Sequence, residues 1–249
     1  MRTLELPTIE TVYIEPLRSG CFDTSSNISG IKSILFPATG QVRSRKVVSR
    51  SNARSAGKYP SWKMGRMMHW ESSNELNAFR LLDCDPNVTS YSEQPCRIAY
   101  VIDGVAKVHF PDILVMTTRG KQLWEVKPRS NALEPEVLAR AAFLSRVLPR
   151  WGYEYRTVLA EDLARQPRLG NANLVLSLGK RAVSDGEWEG VRRTLAEQGS
   201  LTWSEACAGN YGAKGREILC SLVLRGVLAI DMNVPISPAT EFVARKGGH

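Results

Sequence analysis

The stretch FPDILVMTTRGKQLWEVKP, running from Phe110 to Pro128, decides the reading of this chain. Apolar runs on either side of Thr118-Arg119-Gly120 read as two strands joined by a turn. A short hairpin centred between Thr118 and Arg119 places Asp112 opposite Glu125. Successive strand residues alternate between faces, so Glu125 and Lys127 project together while Val126 points the other way. Two carboxylates and an ammonium are therefore expected in one patch. Charges on a strand often mark nothing more than a solvated face. Here ILVM follows Asp112 and LW precedes Glu125, and a carboxylate drawn into apolar surroundings must be paired or hold a cation.

That constellation suits phosphodiester hydrolysis, which needs an activated water and stabilisation of the charge that develops on the phosphate. Carboxylates are hard oxygen ligands of the kind Mg²⁺ prefers, and Mn²⁺ is expected to substitute. Asp112 and Glu125 are the expected ligands, with the Val126 carbonyl as a further donor and Lys127 orienting or deprotonating the water. Glu75 is the expected fourth member. It lies on the preceding helix beside Leu76 and Phe79, and is favoured over Glu71 one turn earlier.

Working outward, a helix is expected from Trp70–Ser72 to Leu82, ended by Asp85-Pro86-Asn87 because proline cannot continue a helix interior. Strands at Cys96–Ile102, Lys107–Met116 and Gln122–Val126 read as an antiparallel meander. A helix from Glu134 to Leu148 presents Val137, Ala141, Leu144 and Leu148 to a sheet, and Trp151–Leu159 reads as one more strand. Beyond residue 168 the pattern changes to helices at Trp188–Glu197, after a Thr202 cap, and at Gly215–Leu224. A strand from Gly226 and a turn at 233–238 follow. The expected fold class is α/β, a mixed sheet flanked by helices with a small winged-helix-like domain behind it. The division is a basic N-terminal arm at 1–57, partly extended, a catalytic domain at 58–168 and a partner-binding domain at 169–249.

The chain of 249 residues carries a formal charge of +8, which favours an anionic partner. Not one carboxylate falls between Asp23 and Glu71, whereas nine lysines and arginines do. Arg43, Arg45, Lys46, Lys63 and Arg66 are the expected DNA contacts, with Trp62 packing beside them. Five scattered cysteines, without a C-x-x-C pair, suit reduced thiols and argue against a zinc cluster. No apolar run approaches the roughly 20 residues that span a bilayer, so no membrane association is expected and the default address is cytoplasmic. The stretch from Tyr211 to Arg216 lacks the length and terminal Ser/Thr of a phosphate-binding loop, so no nucleotide cofactor is expected. His109 reads as a strand surface residue, and Gln94 as a structural residue at a strand entrance.

Taken in order, Glu71-Ser72 with Glu75-Leu76, then LLDCDPNVTSYSEQP, then FPD and WEVKP resemble the TnsA family. These are endonuclease subunits of heteromeric cut-and-paste transposases, within the PD-(D/E)xK restriction-like nuclease superfamily. The resemblance is close over about residues 58 to 165 and looser beyond. It implies a restriction-endonuclease-like core with the catalytic glutamate at Glu75, the metal-binding aspartate at Asp112, the acidic or glutamine position at Glu125 and the lysine at Lys127. It further implies Mg²⁺-dependent cleavage of the non-transferred strands at the 5′ ends of a bacterial transposon. The implied partners are a TnsB-like transposase that cuts and joins the 3′ ends and a TnsC-like ATPase docking on the C-terminal domain. Asn74 departs from the Leu-Glu pair of many relatives, and His109 stands where an aromatic or aliphatic residue would be less surprising. Two other readings stay open at this stage: a restriction-like nuclease working alone in repair or defence, and a non-catalytic DNA-binding adaptor.

Overall fold

In the computed structural model, which describes residues 30–38, 43–44 and 56–245, the first described elements are β1 (Gly30–Leu35) and a ribbon of β2 (Gly57–Pro60) and β3 (Met67–Trp70). β1 thus places a regular strand inside the segment expected to be an extended arm. Helix α1 (Ser73–Cys84) starts at Ser72, whose hydroxyl accepts the Glu75 N–H at 3.2 Å, and buries Ala78, Phe79 and Leu82 on one face. Next come β4 (Val88–Glu93), β5 (Arg97–Ile102), β6 (Val105–His109), β7 (Ile113–Thr117) and β8 (Gly120–Lys127).

The stretch Lys107–Met116, expected as one strand, is divided at Phe110-Pro111-Asp112. Proline has no N–H to give a ladder and its φ is fixed, so pairing stops there. β6 remains with β5 and β1 in a three-stranded sheet, while β7 joins β8 in a separate four-stranded sheet ordered β4-β7-β8-β9. The expected meander is therefore shared between two sheets. Within the hairpin the register is the expected one, with Ile113 facing Trp124, Thr117 facing Gly120, and Thr118 and Arg119 at the tip.

Helices α2 (Arg129–Ala132) and α3 (Pro135–Val147) carry the chain across the sheet to β9 (Tyr153–Leu159), which pairs parallel with β8. A parallel pair requires such a crossover. One face of the sheet packs Ile113, Val115 and Val126 against Phe79 and Leu82 of α1. The opposite face packs Leu123 and Tyr155 against Phe143 and Leu144 of α3 and Ile98 of β5. The result is a mixed, open sheet between helices, broadly consistent with a restriction-endonuclease-like fold.

After α4 (Ala160–Leu163), helix α5 (Arg168–Gly179) occupies a stretch that the sequence reading leaves blank. Gly170, Asn173 and Ser177 face outward, while Ala172, Val175 and Leu176 pack among Cys84 of α1 and Leu219 and Cys220 further on. Helix α6 (Asp185–Gln198), β10 (Ser200–Thr202), α7 (Trp203–Ala208), α8 (Gly215–Leu224), β11 (Leu228–Ala229) and β12 (Glu241–Ala244) complete the chain, with β12 central in a ribbon ordered β10-β12-β11. Capping boxes start α6 at Ser184 and α7 at Thr202, the latter as expected. Helices α5 and α8 cross at Gly179, where a Cβ would lie 2.7 Å from the Cys220 backbone, so only glycine permits the approach.

Asp83 ties the β2–β3 ribbon to α1. Fully buried, it accepts hydrogen bonds from the hydroxyls of Tyr59 (2.7 Å), Ser61 (2.6 Å) and Tyr91 (2.8 Å), and from the backbone N–H groups of Trp62 (2.8 Å) and Lys63 (3.3 Å). Removing it strands buried donors that water does not reach. Asp83→Ala is expected to cost on the order of 3–5 kcal/mol, read as a fall in the urea midpoint. A loss below about 1 kcal/mol would show that the donors find other acceptors.

Candidate functional site

Asp112 sits where the ends of three strands converge. Its N–H donates to the Trp124 carbonyl of β8 at 2.9 Å, and its own carbonyl accepts the Gln94 N–H, just past β4, at 2.7 Å. The side chain then reaches along β8, and Oδ2 accepts the Val126 N–H at 2.7 Å. Burial, followed by the charge of Glu75, pushes the Asp112 carboxyl up to about 7, and the Val126 hydrogen bond offsets only part of this.

Glu75 enters from the first turn of α1. Its Oε2 accepts the Glu71 N–H at 2.9 Å and its Oε1 the Ser72 hydroxyl at 3.1 Å, so in this state it caps its own helix. Its pKa is also raised, chiefly by burial. Burial raises both groups, and the charge of Glu75 raises Asp112 further, so ionising both here costs free energy. A hard cation would relieve that cost, and the donor set of two carboxylates suits Mg²⁺, which keeps several waters of its own. Among the described residues, no three His, Cys, Asp or Glu side chains converge as a preformed metal cage.

Glu125 is held very differently. It is 2% exposed, and the Arg140 guanidinium of α3 grips it as a fork, Nη2 to Oε1 at 2.7 Å and Nε to Oε2 at 3.3 Å. The Tyr155 hydroxyl donates to Oε2. Lys127 Nζ lies 3.3 Å from Oε1. Burial alone would raise the Glu125 pKa, but His109, Tyr155, Arg140 and Lys127 together turn the shift downward.

His109 corrects the surface expectation. It is buried, with Nε2 3.0 Å from the Tyr155 oxygen, and burial drives its pKa down to about 4, so the ring is neutral near pH 7. The Tyr155 proton is given to Glu125, which leaves the Tyr155 oxygen to accept from Nε2–H.

Of the basic residues expected at DNA, Arg45 and Lys46 lie outside the described residues. Lys63 Nζ donates to the carbonyls of Asp85 and Val88, the latter at 2.7 Å, and burial lowers its pKa to about 8. The ammonium thus satisfies carbonyls just beyond the end of α1. Arg66 forks onto Glu93 at 2.7 and 3.0 Å, and Arg43 Nε stands 3.9 Å from the same carboxylate. Trp62 packs under Arg225, the guanidinium 5.8 Å from its ring. Gln94 is buried with a left-handed backbone, φ 45°, consistent with its tight link to Asp112.

Sequence reasoning missed Arg140 and Tyr155. A signal for the first existed, since Arg140 interrupts the stripe of Val137, Ala141 and Leu144 that faces the sheet. A cation on a core-facing stripe must meet an anion there.

Comparison with known proteins gives a match between residues 85–161 and the family model described as TnsA-like endonuclease N terminal. No curated protein matches the chain. The matched span runs from the C-cap of α1 into α4 and contains Asp112, Glu125, Lys127 and Arg140, whereas Glu75 precedes it. The likeness is thus to the N-terminal domain of TnsA-like endonucleases, over the β4–β9 core.

Proposed function

We propose that this chain is a Mg²⁺-dependent DNA endonuclease subunit of a heteromeric transposase, hydrolysing the non-transferred strand at the 5′ ends of the transposon. The observation that carries the reading is the hairpin register, which sets Asp112 beside Glu125 and Lys127 within the span similar to TnsA-like endonucleases.

On this reading Asp112 and Glu75 hold the ion with the Val126 carbonyl, and Glu125 adds its charge from the neighbouring position. The bound ion supplies Lewis-acid polarisation of the phosphate and a more acidic water. Lys127 orients the attacking water and offsets charge on the phosphate oxygens. Asp112 fixes the Val126 backbone by accepting its N–H. With all three carboxyls ionised, Glu75, Asp112 and Glu125 against Lys127 and Arg140 leave one net negative charge. One divalent ion reverses that sign and favours a phosphodiester.

Residues 58–168 would form the catalytic unit. Helices α6, α7 and α8, with α5 packed against α8 and the β10-β12-β11 ribbon beside them, would make up a winged-helix-like unit at 169–249. There α8 keeps Ile218, Leu219 and Leu222 in the core, which supports docking of a TnsC-like ATPase over base reading. A TnsB-like transposase would handle the opposite strand, and Arg43, Lys63 and Arg66 would border the DNA path, with Arg45 and Lys46 on the arm at 1–57.

A strand-resolved cleavage assay on end-containing duplex with Mg²⁺ and an end-binding transposase tests the reading. The 5′ strand is expected to be cut, and Asp112→Ala to lower that rate about a hundredfold or more, since the lost metal chemistry is worth several kcal/mol. Equal cutting by the variant would reject the assignment. Efficient cutting by the chain alone would favour a free-standing nuclease.

The metal can be tested without DNA. A carboxyl raised to about 7 holds its proton more tightly in the folded chain than in the unfolded one, so protonation stabilises the fold as pH falls through 7. That same proton competes with a cation. The rise in Tm caused by Mg²⁺ is therefore expected to be larger at pH 8 than at pH 6, and to vanish in Asp112→Asn. An equal rise at both pH values would count against Asp112 as a ligand.

A further inference from the structure

Glu125 has more partners than a metal ligand needs. Both oxygens are already committed: Oε1 to Arg140 and Lys127, Oε2 to Tyr155 and the second arm of the Arg140 fork. The partners come from three elements, α3, β9 and β8 itself, so the carboxylate cannot turn without breaking contacts to each. Arg140 is half-buried at 22% side-chain exposure, and Tyr155 is buried with its oxygen backed by His109. Lys127, by contrast, is the most exposed member at 33%, and its only fixed ion-pair partner among the described residues is Glu125 Oε1.

A flexible ammonium on a four-carbon stem has no preferred direction of its own. Its direction here is set by Glu125, and the direction of Glu125 is set by the Arg140 fork and the Tyr155 hydroxyl. We infer that Arg140 is a positioning residue for Lys127, acting through Glu125, so that the helix packed on their face of the sheet aims the amine at the reacting phosphate. The inference rests on the nuclease reading for its rate consequence, while the placement of the amine stands apart from it.

Two physical points favour aiming over simple charge balance. Lys127 by itself would neutralise Glu125, so a second cation is not required for charge alone. The Arg140 contact is a planar two-point grip, and such a grip fixes orientation where a single ammonium would only fix distance.

The experiment compares the full chain with Arg140→Ala, Glu125→Gln and the double variant, by two readouts. The first is acylation of individual lysines by an amine-reactive ester, mapped by mass spectrometry, with Lys107 as internal control. Lys127 is expected to react at least about threefold faster in Arg140→Ala relative to Lys107, because its partner is no longer held. The second is strand cleavage with partners present. There kcat is expected to fall about tenfold or more with the Kd for end DNA within about twofold. In the Glu125→Gln background the Arg140 substitution should change neither readout, since no carboxylate remains to be held. Should Arg140→Ala fail to fold, Arg140→Lys keeps the charge, loses the fork and carries the same test.

Unchanged Lys127 labelling in the folded variant would overturn the inference. So would an Arg140 effect of equal size with Glu125 or Gln at position 125, because a general structural role acts in both backgrounds. If the wild type cuts no DNA yet Lys127 labelling responds as expected, the nuclease reading fails and the aiming role of Arg140 stands.

Discussion

Parity along two short strands governs where the charged groups of this protein meet. Two residues, Thr118 and Arg119, close the β7–β8 hairpin, and they set Asp112 against the end of β8. A slip of one residue would send Glu125 and Lys127 to the α1 face and Val126 to the α3 face. The apolar partners oppose this: Val126, Ile113 and Val115 share one core cluster with Phe79 and Leu82, and Leu123 shares another with Phe143 and Leu144. The core therefore specifies the site, and no separate device is needed to assemble it.

Five buried or partly buried acids among the described residues fall into two groups. Asp83, Glu93 and Glu125 are each enclosed by donors or cations, and their role is to join elements: Asp83 the β2–β3 ribbon to α1, Glu93 the same ribbon to β4, Glu125 the sheet to α3. Asp112 and Glu75 differ, since each accepts neutral N–H or O–H groups while burial raises both pKa values and the charge of Glu75 raises that of Asp112 further. Acids that join elements and acids left uncompensated are thus the same residue types, and the degree of compensation separates them.

Much of this was legible in the sequence because it rests on local periodicity. The alternation in β8, the apolar stripe of α3 and the Thr202 capping box are properties of a few adjacent residues, and each appears where it was expected. What was not legible depends on distant partners. β4 is polar in sequence, VTSYSE, and becomes a strand because β7 offers it an unpaired edge. Asp83 gives no local sign that Tyr59, Ser61 and Tyr91 will close on it from 24, 22 and 8 residues away. His109 looked like a surface residue on its strand, since its partners Tyr155 and Glu125 arrive only when β9 packs beside β8. Proline at 111 was visible, but its effect, sending consecutive strands to different sheets, needed the sheets to exist.

Helix α1 joins two regions that the sequence reading kept apart. Its first turn carries Glu75, and its last residue, Cys84, is embedded among Ala172 of α5 and Cys220 of α8, with the Cys84 thiol 3.7 Å from the Ala172 carbonyl. Twelve residues make a rod about 18 Å long, at about 1.5 Å per residue. Swinging such a lever by about three degrees about its anchored tip would carry the opposite tip roughly 1 Å, a displacement that costs about a hundredfold in rate when it misplaces a reacting group. Whatever leans on α5 and α8 therefore leans, with mechanical advantage, on Glu75.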